Sequence, residues 1–149
     1  TFDGCNPVSG VFHNPISPDD NNPCTVDACN TLNGPFYTAV NVNDGNAETY
    51  WATNDSQTNG DIIVNMGAET EVNRIILQEY IKLGQRVQGF EVSAFINGKW
   101  TLLIDGTTIG HKIIRKFPVI KTSEIKITIS KSKACPVISN VELYRSPGN

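Results

Sequence analysis

The run Val87-Gln-Gly-Phe-Glu-Val-Ser-Ala-Phe-Ile96, followed by Asn97-Gly98 and then Lys99-Trp-Thr-Leu-Leu-Ile104, sets the fold class. Phe90, Val92 and Ala94 fall on every second position, the period of a strand with one buried face. Asn-Gly accepts the positive φ angles of a two-residue turn, so 87–96 and 99–104 read as a β-hairpin. Asp105-Gly106 closes the return strand.

The same period recurs on both sides. In 124–130 Ile125, Ile127 and Ile129 point inward and Lys126 outward. Residues 61–67 are strand-like and end at Gly67, and 73–80 place Ile75 and Leu77 on one face. Residues 112–117 form a strand stopped by Pro118, and 137–144 form the last. A short first strand is expected at 25–29, followed by a loop over 30–35 that leads to Phe36 and Tyr37. Seven or eight short strands with turn residues between them, and no helical period, predict an all-β antiparallel sandwich or barrel. Residues 1–24 are expected to be an irregular arm, since Pro7, Pro15, Pro18 and Pro23 interrupt any regular element. Residues 25–149 then form one domain.

Composition narrows the function classes. Charged residues make up 18 % and the net charge is −3, so no basic patch supports nucleic-acid binding. No apolar run reaches the ~18 residues of a membrane helix. Two histidines, no nucleophile motif and no phosphate-cradling glycine loop argue against an enzyme. Thr1-Phe-Asp-Gly4 is not a signal peptide, and reads as a mature N-terminus or the start of a domain from a longer chain. The even cysteine count (Cys5, Cys24, Cys29 and Cys135) favours two disulfides in a secreted, extracellular protein, with three pairings open. Asn54-Asp-Ser56 is a glycosylation sequon, consistent with that compartment.

The stretch 40–53 carries the chemistry. Asn41, Asn43, Asp44, Asn46, Glu48 and Thr49 surround Gly45, and Tyr50-Trp51 follow. A tight turn dense in oxygen ligands suits a hard cation such as Ca²⁺, which takes six to eight oxygens at roughly 2.3–2.6 Å. An Asn/Asp-rich surface turn without an ion has the same composition. The spacing is not that of an EF-hand, and Trp51 is expected to plug the core.

Five motifs, taken together and in order, resemble the discoidin, or coagulation factor V/VIII type C, family. They are Asn43-Asp-Gly-Asn-x-x-Thr-x-Trp51, Asn65-Met-Gly67, Asn73-Arg-Ile-Ile-Leu77, Phe90-Glu-Val92 with Asn97-Gly-Lys-Trp100, and Ile138-Ser-Asn-Val-Glu-Leu-Tyr144. The resemblance covers about residues 25–145 and implies a galactose-binding-like jelly roll. A narrower likeness at 78–86, 106–110 and 130–136 is to the C-terminal domain of α-L-fucosidases, whose catalytic barrel is absent here.

The resemblance implies a structural Ca²⁺ held by Asp44, Asn46, Thr49 and Glu142, with main-chain oxygens near Asn41 and Val141. It also implies a glycan site on loops at one end of the sandwich. Tyr37, Asn54, Asp55, Glu79, Tyr80, Arg86 and Lys133 supply the aromatic and planar polar groups a sugar needs. The glycan, galactose- or fucose-containing, stays open; the fucose-lectin motif Arg-x-Asp-Gly does not occur. Glu79 and Arg86 could instead pair with each other, and Tyr80 could be core. Ile81 and Leu83 are the only pair comparable to a membrane-inserting spike, and membrane insertion is not expected. Topology places the end of the first strand beside residues 132–136, favouring Cys29–Cys135 and leaving Cys5–Cys24 for the arm.

The expected function is therefore a non-catalytic, secreted carbohydrate-binding module. A catalytic glycosidase domain or copies of itself are the candidate protein partners. The alternative is a structural or adhesive domain with idle sugar loops.

Overall fold

In the computed structural model, residues 42–147 are described with their side chains. Of residues 1–41, the backbone alone is described, over four strands. Among those four, β1 (Phe2–Asn6) pairs antiparallel with β2 (Gly10–Asn14), and β3 (Val26–Asn30) pairs with β4 (Gly34–Thr38). Both hairpins add to the sequence reading. The first lies in the arm read as irregular. The second replaces the single strand expected at 25–29 and the loop over 30–35.

The main sheet contains six strands. These are β5 (Trp51–Ala52), β6 (Gly60–Glu79), β7 (Val87–Ile96), β8 (Lys99–Gly106), β9 (Ile113–Ser132) and β10 (Val137–Tyr144), in the order β5-β10-β6-β9-β7-β8. Two of them are 20 residues long, because pairs of strands read as separate in the sequence are continuous. Gly67 does not end its strand. At φ +76° it sits where the β6–β9 register slips, between Asn65 and Thr70. Pro118 likewise lies in a register gap, between Lys116 and Ile120, where its missing N–H breaks no ladder bond.

These slips crease one sheet into two layers. The first half of β6 pairs with the second half of β9, from Gly60↔Ile129 to Asn65↔Glu124; the second half of β6 pairs back along the first half of β9, ending at Leu77↔Ile113. Strands β7 and β8 extend one layer, where Ile127 lies opposite both Ile62 and Val92. Strands β10 and β5 extend the other. The alternating apolar sets then face each other: Ile62, Phe90, Val92, Ala94, Ile125, Ile127 and Ile129 against Val72, Ile75, Leu77, Ile138 and Val141, all buried. The result is the expected antiparallel β-sandwich.

The crease also decides which loops meet. Because β6 and β9 double back, Gly60, Glu79, Ile113 and Ser132 come to one pole. There Val87 pairs with Ser132, Ile138 with Glu79 and Val137 with Ala52. Loops 53–59, 80–86, 107–112 and 133–136 therefore leave from this pole. The creases and the Asn97-Gly98 turn, with φ of 51° and 78°, occupy the opposite one.

Candidate functional site

Glu79 organises the loop-bearing pole. It is the last residue of β6 and is only 2 % exposed. Its Oε1 accepts the backbone N–H of Arg86 at 2.7 Å and of Val87 at 2.9 Å, and its Oε2 accepts that of Gly110 at 2.7 Å. Its own N–H donates to Gly110 O at 2.9 Å. A buried carboxylate needs such donors to offset the water it has lost. Both oxygens are thus occupied inside the protein, which removes Glu79 from the set of surface groups that could meet a sugar. It does not pair with the Arg86 guanidinium either, since the donor is the Arg86 main chain.

Arg86 is held from the other side. Its Nη1 donates to Cys135 O at 2.8 Å and to Cys135 Sγ at 2.9 Å, and its Nε to Leu83 O at 3.3 Å. Arg86 O in turn accepts the N–H of Lys133 at 2.9 Å. Cys135 is a free cysteine in this structure, and the side chain of Cys29, its expected partner, lies outside the described residues. The Cys135 sulfur meets a guanidinium N–H. Cys24 lies outside the described residues, as do the side chains of Cys5, Cys29 and Tyr37 on their strands.

Tyr80 is half-buried and stacks on Tyr50, with ring centroids 4.6 Å apart and planes 25° from parallel. Lys82 lies over the Tyr80 ring at 6.0 Å and forms a 2.5 Å ion pair with Glu48, which raises the Lys82 pKa. It belongs to the 3-10 turn Ile81–Leu83, closed by Gly84 at φ 89°. The structure thus brings Tyr80, Arg86 and Lys133 together. Asn54 and Asp55 are exposed on loop 53–59 of the same pole, where Asn54 O accepts the Gln57 N–H at 2.8 Å. Sequence reasoning missed Tyr50, Lys82 and Glu48 as neighbours of this surface. The aromatic pair Tyr50-Trp51 carried the signal: the buried Trp51, 7 % exposed, leaves its predecessor at the rim.

The oxygen-rich turn folds as a self-bonded loop. Asp44 Oδ1 accepts the Asn46 N–H at 2.8 Å, and Asp44 Oδ2 accepts the Thr49 hydroxyl at 2.6 Å. These bonds, the Thr49 hydroxyl foremost, lower the Asp44 pKa. Asn46 Oδ1 accepts the Glu48 N–H at 3.0 Å. The loop is tied to β10 where Val141 donates its N–H to Val42 O at 2.6 Å. Gly45, Asn46 and Ala47 then face Gln78, Ser139, Asn140 and Glu142 across a recess of about 140 Å³. The Glu142 carboxylate accepts hydrogen bonds from the Asn140 amide and the Tyr144 hydroxyl. Asn41 lies outside the described residues. Among the described residues no three His, Cys, Asp or Glu side chains gather. Any ion here would rely on Asp44 and Glu142 supplemented by neutral oxygens. That donor set is hard, as Ca²⁺ requires.

The F5/8 type C domain model matches residues 25–143, and a Dictyostelium (slime mold) repeat model matches residues 1–16. A rice protein (Oryza sativa subsp. japonica) named as an alpha-L-fucosidase is 36 % identical over 91 residues, covering 61 % of this chain and 18 % of that protein. Alpha-L-fucosidase 1 of Arabidopsis thaliana is 28 % identical over 100 residues, covering 65 % and 20 %. The chain thus spans about a fifth of these relatives. Among solved structures, a GH29 fucosidase of Ruminococcus gnavus in complex with fucose matches at TM-score 0.68 and 36 % identity, over 73 % of this chain and 22 % of that one. A chitosan-binding module from a Paenibacillus chitosanase/glucanase matches at TM-score 0.61 and 19 % identity, over 68 % and 80 %, which shows the fold alone. The match covers the domain with this fold and not the catalytic GH29 domain. The chain belongs to the F5/8 type C domain family and is similar to parts of α-L-fucosidases.

Proposed function

We propose that this chain is a non-catalytic glycan-binding module that accompanies a glycosidase of the α-L-fucosidase type. The observation that carries the reading is the half-buried Tyr50–Tyr80 stack on the pole where Arg86 and Lys133 are fixed by main-chain bonds. A sugar needs an aromatic surface for its C–H face and oriented polar groups for its hydroxyls, and this pole supplies both. Its loops are laced together beforehand, so little ordering entropy opposes binding. Asn54 and Asp55 complete the polar set, and Tyr37 is retained as a candidate.

Titration with galactose- and fucose-containing oligosaccharides tests the reading. Binding at millimolar or tighter Kd should be lost in Arg86→Ala and weakened in Tyr50→Ala, each checked for an unchanged fold by circular dichroism. No binding to either series refutes it.

A Ca²⁺ at the 42–49 loop is part of the proposal, with Asp44, Asn46, Thr49 and Glu142 as side-chain donors. It would neutralise the two carboxylates and hold the loop on β10. An extracellular location is also proposed, supported by the low charge content and the Asn54 sequon. A second reading, an adhesive domain that contacts its own copies, draws on the exposed Ile63, Phe95 and Leu102 of the outer sheet face. Sedimentation showing self-association without glycan binding would select it.

A further inference from the structure

We propose that the ligand of this pole is an acidic glycan, one bearing sulfate or carboxylate groups. The inference rests on the glycan-binding reading and narrows the class of sugar.

Three bonds bring cations together. Glu79 holds the backbones of Arg86 and Gly110 on its two oxygens, and Arg86 O holds the N–H of Lys133. His111 and Lys112 follow Gly110 directly and are exposed, as is Lys133. Two acids near this pole are already engaged. Glu79 is buried on main-chain amides, and Glu48 is bound by Lys82 at 2.5 Å. Asp55 is the one carboxylate that remains open among the described residues of these loops. In a chain of net charge −3, loops 53–59, 80–86, 107–112 and 133–136 carry Lys82, Arg86, Lys112 and Lys133 against the single acid Asp55, at the end where the tyrosine pair lies.

A neutral sugar has no use for unpaired cations at the rim. A sulfate or carboxylate within reach of Lys112, Lys133 and Arg86 would form charge-assisted hydrogen bonds with them. An anionic bilayer offers the same charge but fits less well. Ile81 and Leu83, 41 % and 45 % exposed, are the only large exposed apolar side chains on the 80–86 loop. Two aliphatic groups offer little apolar area to bury in a bilayer beside that charge.

The test compares a sulfated fucose tetrasaccharide with its chemically desulfated form by isothermal titration, in low salt and in high salt. The sulfated form should bind at least about tenfold tighter in low salt. That ratio should fall toward one in high salt, since exposed charges are then screened. Lys112→Gln combined with Lys133→Gln should lower the ratio by about threefold per charge removed. Lys121→Gln, at the opposite pole and paired with Glu69 at 3.3 Å, should leave it unchanged. Equal affinity for both forms, lost in Arg86→Ala, keeps the glycan reading and overturns the acidic one. Binding of neither form overturns both. Binding to phosphatidylserine vesicles with no binding to either saccharide assigns the pole to a lipid surface and also overturns the proposal.

Discussion

Replacing Glu79 should loosen the loop-bearing pole before it loosens the sandwich. In Glu79→Ala, three backbone N–H groups lose a charged acceptor, at former distances of 2.7, 2.9 and 2.7 Å. A hydrogen bond to a charged group contributes about 1.5–3 kcal/mol, and a buried donor left without a partner costs a similar amount. Val87 is fully buried and cannot recruit water, whereas Arg86 and Gly110 are half-buried and recover part of the loss. The expected destabilisation is therefore about 4 kcal/mol, a large share of the ~5–15 kcal/mol typical of a domain. Glu79→Gln keeps one oxygen for the Arg86 and Val87 amides but turns an NH₂ donor toward the Gly110 N–H. It should cost about 2 kcal/mol. Urea unfolding followed by the fluorescence of buried Trp51 measures both. Hydrogen exchange at Gly110 should accelerate more than at Val87 in the Gln variant. A loss below about 1 kcal/mol in Glu79→Ala, with Gly110 protection unchanged, would falsify the claim that this carboxylate laces the loops.

Further outcomes are expected elsewhere. Gly106→Ala would place a Cβ 2.6 Å from Phe90 Cε1, so it should destabilise by about 1–3 kcal/mol, and Gly106→Ser by at least as much; a wild-type melting temperature in either variant would contradict the packing described. Ile127→Ala, at the centre of the core opposite Ile62 and Val92, should cost about 2–5 kcal/mol in the same urea assay. Asp44 has its folded pKa lowered, so its contribution is present above the unfolded pKa and fades as pH falls through the folded one. The acid limb of stability should therefore flatten in Thr49→Val, which removes the main cause, and an identical limb in the variant would refute it. Millimolar Ca²⁺ should raise the melting temperature, and a chelator should reverse the rise. At 100 times Kd the gain is about 2.7 kcal/mol, and Asp44→Ala should abolish it. A melting curve indifferent to Ca²⁺ sinks the metal proposal.

The fold was legible because strand period survives without knowledge of the partner strand. Ile125, Ile127 and Ile129 alternate whatever they pair with, and Asn97-Gly98 specifies its turn locally. What the chain does not display is where a strand creases. Gly67 and Pro118 look like strand ends, since both disfavour a regular ladder. Only the register slip of β6 against β9 shows that each lies at a bulge and that the strand continues. The site was half legible for a related reason. Tyr80, Arg86 and Lys133 sit on loops that the crease brings together, and their residue types suggested recognition. Glu79 has the same polar character, yet its position as the last inward residue of a strand buries it. Burial depends on Gly110 and Arg86 arriving from loops distant in sequence. The Tyr50–Tyr80 stack and the Arg86–Cys135 contact are likewise products of the fold, with no local signature.

The most direct test of the account is to follow the backbone amide spectrum while a fucose- or galactose-containing oligosaccharide is added. The account predicts shifts confined to loops 53–59, 80–86, 107–112 and 133–136, strongest near Tyr80 and Arg86. Shifts confined to the outer sheet face around Phe95 and Leu102, or none at saturating millimolar sugar, would contradict it.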